Sequence, residues 1–144
     1  MSRLILALIA AMAASLICSN STVAQQSPGS EQAGRVQIIV APALEGAWEK
    51  RAIIRWTSTT PVGSDQYWGV VHFGTDPENL SRTAKSPLRL NRAHPTTIFR
   101  VRVDGLEPGT TYYYTIDSMR PNGTSDGLKS PVSQFATLKQ GATN

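Results

Sequence analysis

The feature that constrains this chain most is a period-two alternation of apolar and polar residues, recurring in short runs closed by Gly, Pro, Asn or Asp. A strand sends successive side chains to opposite faces, so such runs read as half-buried β-strands. No stretch carries apolar residues at helical spacing over a useful length. Ala52, Ile54 and Trp56 fall on one face with Ile53 and Arg55 on the other. Phe99, Val101 and Val103 likewise oppose Arg100, Arg102 and Asp104, and Tyr112, Tyr114 and Ile116 oppose Tyr113, Thr115 and Asp117. Seven segments are predicted as strands: 36–40, 52–57, 68–73, a weaker piece at 82–90, 98–103, 111–117 and 132–137. Seven short strands separated by turn signals fit an all-β, Greek-key sandwich.

What must hold such a sandwich together follows from the N-terminus. After Arg3 an apolar run from Leu4 to Ile17 is broken only by Ser15 and gives way to polar residues 19–22. The run is too short to cross about 30 Å of hydrocarbon as a helix. With Thr22-Val23-Ala24 as a processing site, residues 1–24 read as a signal peptide; the alternative is an uncleaved N-terminal anchor. The one cysteine, Cys18, lies in this leader behind a bulky Ile17, where lipoprotein processing takes a small residue. The exported part is therefore cysteine-free, so packing rather than disulfides must stabilise it. Residues 25–34, QQSPGSEQAG, can bury nothing and read as a flexible linker, leaving one domain at 35–138 and a tail at 139–144. A secreted, periplasmic or cell-surface location is expected, with no membrane span after cleavage. The net charge of +4 is mild and does not call for nucleic acid.

The segment Leu106-Glu107-Pro108-Gly109-Thr110-Thr111-Tyr112 resembles the Leu-x-Pro-x-Thr-x-Tyr signature that opens the sixth strand of fibronectin type III domains, a branch of the immunoglobulin-like sandwiches. The resemblance implies that Tyr112 forms a tyrosine corner whose hydroxyl bonds to backbone near Leu106, and that Trp56 is the buried tryptophan. Pro108-Gly109 supplies the turn by fixing φ and then permitting a positive one. A narrower likeness rests on Gly74-Thr75-Asp76-Pro77-Glu78-Asn79-Leu80, on Tyr112-Tyr113-Tyr114 and on Ser130-Pro131-Val132-Ser133-Gln134-Phe135-Ala136-Thr137. Together these are similar to the N-terminal domain of purple acid phosphatases, where the sandwich precedes a metallophosphoesterase domain. That catalytic domain's Gly-Asp-x-x-Tyr and Gly-Asn-His motifs do not occur in the 144 residues. The resemblance thus implies an accessory, non-catalytic module and carries over no catalytic or metal-binding residue; a metallophosphoesterase partner is the alternative it raises.

The residues themselves offer little chemistry. Only His72 and His94 supply imidazoles, one outward on the third strand and one in a basic loop, so neither metal nor cofactor is expected. No serine sits in a nucleophile elbow and no glycine-rich loop opens a helix. Two surface features remain. Between residues 80 and 102, Arg82, Lys85, Arg89, Arg92, Arg100 and Arg102 occur without one acidic residue. They read as a solvated, edge-protecting face or as a contact for an anionic partner such as a polysaccharide, lipid head groups or an acidic protein. Trp68 and Tyr113, with Trp48 and Tyr67, are candidates for an aromatic platform that stacks on sugar rings or seats a protein; Trp48 and Tyr67 are also suited to closing the ends of the core. Asn79-Leu80-Ser81 and Asn122-Gly123-Thr124 are acceptor sequons in a host that glycosylates secreted proteins.

Overall fold

The computed structural model describes residues 36–142, so the leader and the linker lie outside the described residues. Seven strands form, each overlapping a predicted segment: β1 Ile38–Ala47, β2 Arg51–Thr59, β3 Gln66–Gly74, β4 Arg82–Arg89, β5 Thr96–Asp104, β6 Thr111–Met119 and β7 Ser133–Ala136. They make two antiparallel sheets, ordered β1-β2-β5 and β4-β3-β6-β7. In constant-type immunoglobulin domains the fourth strand belongs with the first, second and fifth. Here β4 pairs with β3 along its whole length, from Gln66 opposite Arg89 to Phe73 opposite Arg82.

Alternation decides what the two sheets bury against each other. Ala52, Ile54, Trp56, Phe99, Val101 and Val103 of one sheet meet Tyr67, Val71, Phe73, Tyr112, Tyr114 and Ile116 of the other in a single apolar cluster. Trp56 stacks on Phe99 with ring centroids 5.0 Å apart. Gly69 on β3 points into this layer, and a Cβ there would lie 2.8 Å from Val101 and 3.0 Å from Phe99, so the sheets approach closely only because a glycine stands at that position.

Two sequence expectations are revised. The first strand was expected at 36–40 but runs to Ala47, because Pro42 and Gly46 lie on an edge strand whose register with β2 shifts three times. Bulges and an edge position let a strand tolerate proline and glycine that a central strand would reject. Asp117 does face away from the inter-sheet core, yet it is buried: Ser118 N–H and the Ser125 hydroxyl both donate to its Oδ1, at 2.7 and 2.8 Å.

Candidate functional site

The basic run between residues 80 and 102 spans two strands of different sheets and the loop that joins them, and the fold disperses it. Arg100 and Arg102 project from β5 onto the outer face of the three-stranded sheet. Arg100 grips Glu45 with a two-pronged ion pair, one prong at 2.8 Å, and Arg102 pairs with Asp104 at 2.8 Å. The Arg100 hydrogen bonds hold the Glu45 carboxyl below its ordinary range, with Arg55 adding to the attraction. Arg92 clamps the β2–β3 loop, bonding Asp65 at 3.0 Å, Pro61 O at 2.7 Å and Ser64 O. Arg82 donates to Gly105 O at 2.8 Å and lies 4.6 Å over the Phe73 ring. Four of the six cations are thereby committed to the protein's own atoms.

Lys85 and Arg89 differ: both are exposed on β4, and neither has an ion pair or side-chain hydrogen bond among the described residues. Cross-strand register sets their neighbours. Arg89 stands opposite Gln66, Pro87 opposite Trp68 and Lys85 opposite Val70, all on the outer face of the four-stranded sheet. Trp68 thus sits between two free cations, half-buried, its indole N–H without a partner. Beneath it Val70 is fully buried although it lies outside the inter-sheet cluster. Tyr113 shares the face, but its register partner is Gly74, six residues along β3 from Trp68, or about 20 Å at the rise of an antiparallel strand. One sugar ring cannot touch both.

The other two platform candidates lie away from this face. Tyr67 is fully buried and donates its hydroxyl to Val62 O at 2.7 Å; burial raises its pKa above the ordinary phenol value. Trp48 is held between Gly46 and the Arg51 guanidinium, which lies 4.7 Å over the ring. Tyr67 belongs to the core cluster and closes one end of it, whereas Trp48 is half-buried outside that cluster and lines a hollow of about 650 Å³ with Glu49, Lys50, Arg51, Arg102 and Asp104. His72 contacts Thr83 Oγ1 at 3.3 Å on the outer face, while His94 lines a hollow of about 340 Å³ between the β4 and β5 edges. Among the described residues no three His, Cys, Asp or Glu side chains gather as a metal-binding group, and no helix is long and apolar enough to cross a membrane.

The signature residues occupy the places their motif implies. Tyr112 accepts a hydrogen bond from Glu107 N–H at 2.9 Å, closing the tyrosine corner one residue after Leu106, and Gly109 adopts a φ of 63°. Residues 36–137 match the sequence profile described as "Purple acid Phosphatase, N-terminal domain". The chain belongs to that family. The match spans the whole sandwich, and the region matched is the accessory domain, not the catalytic one. Searching curated protein sequences produced no match. Among solved structures, the sensor domain of the anti-sigma factor RsgI4 from Pseudobacteroides cellulosolvens superposes with a TM-score of 0.50 at 16% identity, over 76% of this chain and 95% of that one. A human fibronectin type III domain aligns with a TM-score of 0.46 at 16% identity, over 74% and 89%.

This purple acid phosphatase N-terminal domain also contains a polar network that sequence reading missed. Asp126 accepts from the Ser118 hydroxyl at 3.1 Å and lies 4.0 Å from Arg120, whose Nε is 3.3 Å from the Tyr67 hydroxyl. Burial pushes the Asp126 carboxyl above its ordinary range despite these partners. Its members come from β3, β6 and the β6–β7 loop, so no local motif could have announced it. The network ties that loop to Tyr67 and through Val62 O to the β2–β3 loop, which makes it a fastening of one sandwich end.

Proposed function

We propose that this chain is an exported, non-catalytic contact domain, and that its contact surface is the outer face of the four-stranded sheet. The observation that carries this reading is the contrast in how its charges are spent. Lys85, Arg89 and the Trp68 indole have no partner among the described residues, while the other cations of the run serve the fold. Unpaired cations beside an aromatic ring suit a contact surface for an anionic partner, and on the edge strand β4 they also keep other sheets from pairing. Export is supported by the apolar leader at residues 4–17, and processing after Ala24 would leave Gln25 as the first residue. Family membership favours a second reading, in which the domain works beside a metallophosphoesterase as its accessory module.

One assay tests the non-catalytic assignment. The purified chain is expected to hydrolyse no phosphate monoester above buffer, with or without added iron, zinc or manganese, because a two-metal hydrolase needs several convergent His and carboxylate ligands. Metal-dependent turnover that survives purification and disappears in a His72→Ala, His94→Ala double variant would overturn it.

A further inference from the structure

Resting on the reading of the chain as a contact domain, we infer that the outer face of the four-stranded sheet binds an acidic polysaccharide. Trp68 stacks on a sugar ring, and Lys85 and Arg89 pair with the chain's carboxylate or sulfate groups. The register supplies the geometry: Trp68 faces Pro87, so Lys85 and Arg89 lie on its two diagonals, roughly 7 to 8 Å away across the pair. The guanidinium of Arg89 can grip a carboxylate or sulfate with two parallel bonds, while the Lys85 ammonium acts as a point charge. A carboxylate shares the face, opposite Val70. The acidic side chain there, Asp117, is buried and its carboxylate accepts bonds from Ser118 and Ser125.

Shape selects a chain rather than a compact ligand. The face is an open sheet, and Tyr113 lies about 20 Å along it from Trp68, a separation that several linked sugars can span. Between the two rings the row Thr83, His72 and Thr115 offers hydroxyls and an imidazole to sugar hydroxyls. A lipid surface fits less well, because the exposed Ile39, Val40 and Leu44 stand on β1 in the other sheet and cannot enter the bilayer together with Trp68. Two free cations are also too few for the many phosphate contacts that sustain nucleic-acid binding.

The test is titration of the purified chain with polygalacturonate and with dextran sulfate, using neutral dextran and anionic phosphatidylglycerol vesicles as comparators. Binding to the acidic polymers is expected, weakened by salt because exposed charges are screened. The Lys85→Gln, Arg89→Gln double variant, altered only at exposed positions, should bind roughly tenfold more weakly, the equivalent of about 1.4 kcal/mol. Trp68→Ala should lose a similar amount, judged only if its thermal transition shows that it folds. Arg55→Gln on the opposite sheet should bind like the parent. The inference is overturned if neither acidic polymer binds, if dextran or vesicles bind as well as they do, or if Arg55→Gln weakens binding as much as the double variant. If vesicles or dextran bind through this face instead, the contact reading stands and the polysaccharide assignment alone falls; if nothing binds, both fall.

Discussion

The two outer faces of the sandwich are both basic, yet they use their charges in opposite ways. On the three-stranded sheet Arg55 stands directly opposite Arg100, an arrangement that costs stability by like-charge repulsion. Glu45, brought in by β1, relieves it by pairing with Arg100 while also being attracted by Arg55. Nearby Arg102 is matched by Asp104. On the four-stranded sheet Lys85 and Arg89 have no ion pair among the described residues, and Asp117 accepts bonds from Ser118 and Ser125. Positive charge alone therefore does not mark a binding face. The faces differ in whether their cations have counterparts among the described residues.

One core carries both faces, and the largest expected effect tests that. Trp56→Ala should cost about 3 to 5 kcal/mol, since it removes a fully buried aromatic stacked on Phe99. Chemical denaturation should show a single transition at lower denaturant; an unchanged midpoint would mean that the β2 and β5 faces are assigned wrongly. Tyr112→Phe should cost about 1 kcal/mol, the worth of the bond from Glu107 N–H, by the same measurement. No loss at all would remove the tyrosine corner as a support of the β5–β6 connection.

Smaller effects separate the faces themselves. Arg100→Gln should lower the thermal midpoint at low salt, with the deficit shrinking as salt is added, because it removes the counter-ion of Glu45. Arg89→Gln should leave stability within about 0.5 kcal/mol, as a surface change with no partner to lose. Equal effects would erase the distinction between spent and unspent charge. The smallest is pH-dependent. Folding lowers the Glu45 pKa, so its pairing contributes stability above the unfolded-state value and loses it as pH falls through the folded one. The stability difference between the parent and Glu45→Gln should accordingly vanish in acid; a difference that persisted there would show that the pair matters through packing rather than charge.

By itself the sequence determined the seven strands, the inward set of β2, β5 and β6, the turn at Pro108-Gly109 and the Tyr112 corner. These are legible because strand alternation and turn chemistry are local, depending on residues two to six positions apart. The extension of β1 through Pro42 was not legible, since only its place at a sheet edge makes that proline harmless. Nor was the burial of Asp117, which Ser125 brings about from beyond the turn that ends β6. The site shows the same division. Sequence identified the basic run and the rings of Trp68 and Tyr113, but only the tertiary structure decided that Arg82, Arg92, Arg100 and Arg102 have partners while Lys85 and Arg89 do not. Those partners, Gly105, Pro61, Glu45 and Asp104, come from loops and neighbouring strands, and whether a charge is spent is a property of what the fold places against it.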